Sequence, residues 1–113
     1  MVGATASATT ADSTIVNNVI VQHSAQGVVG TGTGTGNVAR RDLFFSNMAP
    51  VSGTVTSVDD VIGVDPRFVG NDDFHLRADS PAVGAADLAL TPPSDRDQRC
   101  RPIDAPDLGA FEQ

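Results

Sequence analysis

Short apolar runs separated by polar pairs and glycines fill the middle of the chain. The first two runs, Ile15-Val16 and Val19-Ile20-Val21, are rich in β-branched residues and too short for a helix, so they predict strands. Asn17-Asn18 between them predicts a bend, because Asn tolerates left-handed backbone and the Gly of a tight hairpin is absent. Further strands are predicted at Gly27-Val28-Val29 and Thr54-Val55-Thr56.

One segment of the chain repeats an earlier one. Asn18 to His23 and Asp42 to Asn47 share the order polar, three apolar, polar, polar. The resulting period of about 24 residues is typical of one coil of a β-solenoid. Stacked coils would place Val19 over Leu43, Ile20 over Phe44 and Val21 over Phe45, with alternate side chains inside and outside. Asn18 over Asp42 and His23 over Asn47 would fall at the bends, and Asp59-Asp60 is expected to interrupt the pattern.

The N-terminal segment and the Gly-Thr stretch have low complexity. Residues 1–13 lack a basic start and a continuous apolar core, so they predict neither a signal peptide nor a membrane span. They are expected to form a flexible tail or an edge strand, since Val2 to Thr10 is compatible with β-structure. Four glycines between Gly30 and Gly36 predict a surface loop.

The C-terminal third is irregular. Arg67-Phe68-Val69 and Phe74-His75-Leu76 flank a turn at Gly70 to Asp73, so they either pair as a hairpin or extend the sheets. Ala82 to Ala86 predicts a helical turn that ends before the prolines at 92 and 93. Apolar residues placed singly, including Phe68, Phe74 and Phe111, are expected to plug the end of the core, which makes this segment a lid on the last coil.

Composition and charge support an all-β protein and narrow its partners. Thirteen Asp, 11 Gly and 7 Pro favour turns, while Lys is absent and Glu occurs once. The net charge of −7 comes entirely from residues 58–113, and no basic stripe is present, so nucleic acid is not expected as a partner. Cys100 is the only cysteine, so an intrachain disulfide is impossible, and it is interpreted as an incidental thiol.

The C-terminal third carries a likeness to a known family. In order it has Asp65-Pro66-x-Phe68-Val69, Asp73-Phe74-His75-Leu76, Asp79-Ser80-Pro81-Ala82-Val83, Asp95-x-Asp97, Arg101-Pro102 and Asp107-Leu108-Gly109-Ala110-Phe111-Glu112. This series resembles the C-terminal end of right-handed parallel β-helix proteins of the pectate-lyase-like group, which includes polysaccharide lyases and cell-surface proteins. Gln98 stands where relatives have Gly.

The resemblance and the repeat together imply a fold and a division of the chain. The fold is all-β, a short right-handed parallel β-helix of about two to three coils closed by an irregular C-terminal cap. Residues 1–13 form the tail, 14–70 the coils and 71–113 the capping segment, within one domain.

Candidate chemistry is sparse. A polysaccharide lyase needs a base and a group that stabilises negative charge, and relatives use Lys or Arg for this. The candidates are His23, Arg40, Arg41 and His75, each better explained by a solvated or bend-capping role, so no catalytic residue or cofactor is predicted. Asp95 and Asp97 are weak calcium candidates, because the loop Gly and distal Glu of a helix-loop-helix site are absent and three nearby Arg would repel a cation.

These observations favour a non-enzymatic function. We expect a structural or interaction module of β-helix type that forms a homo-oligomer through an uncapped first coil, with Ile15, Val19 and Val21 at the interface. The alternative is a lyase-like or carbohydrate-binding β-helix fragment that acts on an acidic polysaccharide.

Overall fold

A computed structural model describes residues 4–6, 12–31 and 35–113 of the chain. The protein is all-β, as the composition predicts, and within these ranges it has a single 3₁₀ turn, Leu88–Leu90, as its helical element. The strands in chain order are β1 (Ala4–Ala6), β2 (Thr14–Val16), β3 (Val19–Val21), β4 (Gln26–Gly30), β5 (Asn37–Arg40), β6 (Leu43–Phe45), β7 (Ala49–Gly53), β8 (Val55–Val58) and β9 (Val61–Ile62).

The strands form three parallel sheets, and each strand pairs with the strand three positions before or after it in the chain. The first sheet has the order β1-β4-β7, the second β2-β5-β8 and the third β3-β6-β9. Three successive strands, one in each sheet, therefore form a layer, and the described chain has three layers. The predicted register is confirmed, because residues 19–21 pair in parallel with residues 43–45. The same offset joins the first two layers in the other sheets, as in the pairs Ala4 with Val28 and Thr14 with Val38.

The bend between the second and third sheets repeats in every layer. Asn17, Arg41 and Asp59 each follow a strand and have positive φ values of 64°, 52° and 54°. A polar residue comes next each time, and we call Asn18, Asp42 and Asp60 the bend column. Asp42 Oδ1 accepts hydrogen bonds from the Asn18 backbone N at 2.8 Å and its Nδ2 at 3.0 Å, and Asp60 Oδ1 accepts from the Asp42 backbone N at 2.8 Å. Each carboxylate thus fastens its own layer to the layer before it.

Other corners follow the same rule. His23 donates from its backbone N to Asn47 Oδ1 at 3.0 Å, so the predicted contact between these positions is confirmed. Ser13 donates to Asn37 Oδ1 at 3.1 Å at the corner between the first and second sheets. Polar side chains at these corners therefore satisfy backbone groups that the turning chain leaves unpaired.

The third layer is shorter than the second. Paired positions in the second and third sheets are only 18 residues apart between these layers, as in the pair Leu43 with Val61. Most of the loss occurs where the chain passes from the first sheet to the second, because residues 31–36 make this connection in the second layer and Thr54 alone makes it in the third. The expectation that Asp59-Asp60 interrupts the pattern is wrong, since these residues form the third copy of the bend.

Two apolar clusters lie on opposite faces of the third sheet. The inner cluster, enclosed by the three sheets, contains Ile20, Val28, Ala39 and Phe44. The outer cluster is formed by Val19, Val21, Leu43, Leu76, Ala82, Ala86 and Leu108. The prediction that alternate side chains of this triplet lie inside the coil and on its outer face is confirmed, and all three residues of β3 are buried because the outer face is covered as well. A second packed layer on the outer face supplies the physical reason.

The C-terminal segment provides that second layer. Its first part is the predicted hairpin, with an antiparallel bridge between Phe68 and Leu76 and a turn closed between Gly70 and Asp73. The expectation of a lid on the last coil is wrong, because the segment runs along the outer face of the third sheet back to the first layer. There Gly109 donates from its backbone N to Asn17 O at 2.9 Å.

The helical turn also differs in position from the prediction. Residues 81–84 form turns, and the 3₁₀ turn begins after Asp87, whose side chain accepts a hydrogen bond from Ala89 N at 3.0 Å. Asp87 is fixed in turn by Asn17, whose Oδ1 accepts from the Asp87 backbone N at 2.6 Å, and by an ion pair with Arg40 at 2.7 Å. The N-terminal cap of this turn is therefore tied to the first two layers.

Parts of two predicted segments lie outside the described residues. Of residues 1–13, the structure describes Ala4–Ala6 as an edge strand paired with β4, together with residues 12 and 13. The predicted Gly-Thr loop includes residues 32–34, which are not described, whereas Gly36 has a φ of 73° beside Asp12.

Candidate functional site

The two predicted calcium ligands have different surroundings. Asp95 is buried, and its two oxygens accept hydrogen bonds from the backbone N of Arg99 and of Glu112, both at 2.8 Å. These bonds, that from Glu112 above all, lower the pKa of the Asp95 carboxyl below its ordinary value. Asp97 Oδ2 lies 2.8 Å from His75 Nε2 instead. Both oxygens of Asp95 therefore accept backbone hydrogen bonds that hold the chain end.

Gln98 lies in the turn that contains Asp95 and Asp97. It has a φ of 64°, the left-handed conformation that Gly adopts at low cost, so the turn forms with Gln in place of Gly. Across the three described ranges, no group of three or more His, Cys, Asp or Glu side chains is arranged to hold a metal ion.

His75 lies between two carboxylates on the C-terminal segment. Its Nδ1 is 2.5 Å from Asp73 Oδ1, its Nε2 is 2.8 Å from Asp97 Oδ2, and its ring stacks on Phe111 with centroids 4.0 Å apart. Hydrogen bonds to Asp97 first and Asp73 second raise the pKa of His75, and the bond to His75 lowers the pKa of Asp73. The acids bind opposite edges of the ring and do not converge on one point, which makes the cluster a clasp between the hairpin and the 95–98 turn.

The other candidate bases are spread over different elements. Arg40 is on β5 and pairs with Asp87, while Arg41 lies exposed at the following bend. His23 follows β3, and its Nε2 is buried without a hydrogen-bond partner among the described residues. None of the four candidates is joined to another by a hydrogen bond or an ion pair within the described chain.

A buried ion pair fixes the chain end. Arg101 Nη1 lies 2.8 Å from Glu112 Oε2, with both side chains less than a tenth exposed. Arg101 also donates to the backbone O of Asp107 and of Gly109, and the Glu112 carboxylate accepts from Asp107 N. Burial raises the pKa of Glu112, while the Arg101 charge opposes this. The polar residues of the family-like tail are therefore occupied in holding Leu108 and Gly109 against the third sheet.

A groove runs where the hairpin meets the outer face of the third sheet. It has two hollows of about 420 and 450 Å³ that share Val21, Phe68 and Phe74. The two Phe rings meet edge to face, with centroids 5.2 Å apart. Phe74 is 52% exposed, so the expectation that it plugs the core is wrong, whereas Phe68 packs against the outer cluster. This groove could admit an apolar group, and Arg96 at the wall of the first hollow supplies a positive charge.

The bend column contains an unusual carboxylate. Asp42 is fully buried, its Oδ2 has no hydrogen-bond partner among the described residues, and Asp60 lies next in the column. Burial, together with the Asp60 charge, raises the pKa of Asp42 from 3.8 to about 6, against the lowering effect of the Asn18 hydrogen bonds. Burial also raises the pKa of Asp60.

The three layers differ in how far their inward-facing side chains are exposed. The face of the stack formed by β7, β8 and β9 is called the third-layer end. Ile20, Phe44 and Ile62 stand in one column of the third sheet, and their exposed fractions are 0%, 2% and 51%. The inner core is thus open at the third-layer end among the described residues. Residues 43–58 contain no charged side chain, although the chain carries a net charge of −7.

The residues predicted at an interface do not form one exposed surface. Val19 and Val21 are buried under the C-terminal segment, and Ile15 packs half-buried against the inner cluster. The interface itself stays a prediction. The three-consecutive-apolar pattern of β3 and β6 was a signal that both faces of the third sheet are covered.

The geometry defines a class: an all-β protein of three parallel sheets stacked in layers, with almost no helix. Comparison of the chain with models of known protein families, with curated proteins and with solved structures finds no match. The resemblance to pectate-lyase-like β-helices therefore stays a hypothesis that depends on the C-terminal motifs. No helix in the described part of the chain is long and apolar enough to span a membrane.

Proposed function

We propose that the chain is a short parallel β-helix module, whose three layers are its coils, and that it has a structural or interaction role without catalysis. The support for the β-helix is the repeat of strand, left-handed residue, polar residue and strand in successive layers. The support for an interaction role is that the strands of the third-layer end, β7, β8 and β9, contain no charged residue in a chain of net charge −7, and this observation carries the proposal.

The strands at both ends of the stack are suited to association. Those of the first layer and those of the third layer contain no charged residue. Each is the outer strand of its sheet, so one row of backbone N–H and C=O groups lacks a ladder partner within the described residues. Soluble proteins usually protect such edges with charges or a covering segment, and β7 has Pro50 as its one blunting residue. The module therefore associates through the ends of its stack.

The arrangement of the candidate bases favours this role over a lyase reaction. A His or Arg side chain that acts as a general base must have a nitrogen free to accept a proton, and two of the four candidates do not. Both ring nitrogens of His75 are occupied by carboxylates, and Arg40 is held in an ion pair with Asp87. These side chains serve to connect segments of the chain.

Size-exclusion chromatography with light scattering tests the proposal. We expect a mass that is a multiple of the 11.6 kDa chain at micromolar concentration. The expected change on dilution is a shift toward the single chain, because association is governed by mass action. A monomer that persists up to the highest soluble concentration would contradict the proposal.

A further inference from the structure

The two ends of the stack are not equally available. Ile20 of the first layer and Ile62 of the third stand in one column, yet the first is fully buried and the second is half exposed. The chain itself already covers Ile20, at the first-layer end of this column. The uncovered part of the inner core therefore lies at the third-layer end. A partner can bury apolar surface there without displacing part of the chain.

The shape of this end restricts the partner. Three strand edges surround an apolar centre formed by Val51, Val55 and Ile62. A ligand with a single strand could satisfy one edge and would leave the other two and the centre exposed. The partner that fits has the same cross-section, with three edges around an apolar centre.

The net charge of the chain and the covered first-layer end together indicate how a second copy would bind. Two copies of net charge −7 repel each other, and they can approach most easily where the strands contain no charged residue, as at both ends of the stack. The first-layer end has the same cross-section but is closed over Ile20. We infer that the third-layer ends of two copies pair around a two-fold axis, and this inference rests on the proposed function.

A two-fold axis perpendicular to the stack gives a closed dimer. It reverses the strand direction, so β8 of one copy lies antiparallel to β8 of the other, and β7 lies against β9. The same surface is used on both copies, which gives a dimer and no further growth. Head-to-tail stacking of a third-layer end on a first-layer end would instead propagate into a filament.

Three variants test the pairing by light scattering over a dilution series. Ile62→Asp places a charge at the apolar centre, and Thr56→Lys places one on the exposed edge strand β8. We expect each to raise the dimer dissociation constant by about a hundredfold or more, because like charges then face each other across the axis. Ile103→Asp is the matched control, since Ile103 is 87% exposed and lies outside the stack, and it should leave the dimer intact. Far-ultraviolet circular dichroism checks that each variant is folded.

Each outcome has a distinct meaning. A wild-type dimer that Ile62→Asp and Thr56→Lys dissociate, and Ile103→Asp does not, supports the inference. A wild-type oligomer unaffected by the first two variants overturns the inference and leaves the proposed function standing. A mass that grows continuously with concentration overturns the two-fold pairing in favour of head-to-tail stacking. A wild-type monomer overturns both.

Discussion

Replacing Asp42 by Asn removes a charge from the bend column and keeps the shape of the side chain. The amide oxygen can still accept the hydrogen bonds that Asp42 Oδ1 accepts from Asn18. The amide nitrogen takes the position of Oδ2, which has no partner among the described residues. The substitution thus separates the charge of the carboxylate from its role in the bend.

The expected magnitude follows from the pKa of Asp42. Burial raises this pKa from 3.8 to about 6, so between these pH values the folded protein holds a proton that the unfolded chain has released. The free energy of unfolding of the wild type therefore decreases as pH rises through this window, and the loss is complete above pH 6. A shift of this size corresponds to at most about 3 kcal/mol. Asp42→Asn should match the wild type near pH 4 and exceed it in stability by up to that amount at pH 8.

Urea unfolding followed by circular dichroism measures this effect, because the chain has no Trp or Tyr to report by fluorescence. Protein concentration must be fixed, since association shifts apparent stability. Asp59→Asn is the matched control, because it removes one charge from the same bend at an exposed position. Parallel pH profiles for the wild type and Asp42→Asn would refute the reasoning.

Three further predictions concern the C-terminal segment. Arg101→Met should lower the free energy of unfolding by about 3–5 kcal/mol in urea titrations, because it leaves the Glu112 carboxylate buried and unpaired; an effect below about 1 kcal/mol would argue against burial of the pair. Gly109→Ala should lower it by about 1–2 kcal/mol, since residue 109 has a φ of 87°, whereas Gly70→Ala, where an added Cβ would make only an ordinary contact with Asp73, should be much milder. Because the pKa of His75 is raised, its ion pairs with Asp73 and Asp97 stabilise the folded protein fully below pH 6.5, and this stabilisation is lost as pH rises through the folded-state pKa. His75→Gln should abolish this part of the pH dependence of thermal unfolding. An unchanged pH profile would contradict the prediction.

The strand register could be predicted from sequence wherever local chemistry repeats. Asn18 to His23 and Asp42 to Asn47 share a pattern of β-branched or aromatic triplets and bend residues, and the structure pairs them as predicted. The register of the third layer was not predicted, mainly because its corner connection is a single residue where the second layer has residues 31–36, so the period changes from 24 to 18. Asp59-Asp60 then falls out of phase with a fixed repeat, although its chemistry matches Asn17-Asn18.

The position of the C-terminal segment could not be predicted from turn signals alone. Single apolar residues such as Leu108 show that a segment packs against something, and they do not show which surface receives it. The burial of Val19 and Val21 depends on contacts with the far end of the chain, among them that of Gly109 with Val19. The clasp at His75 likewise joins Asp73 to Asp97, which no spacing rule connects.

The corner between the first and second sheets also has a practical consequence. Residues 31–36 make this connection in the second layer and Thr54 makes it in the third, yet strands β5 and β8 on either side remain in parallel register. The sheets therefore do not depend on the length of the connector at this corner. Foreign peptides or affinity tags inserted into this connection should therefore leave the pairing of β5 with β8 intact, which makes this corner a graft site for engineering.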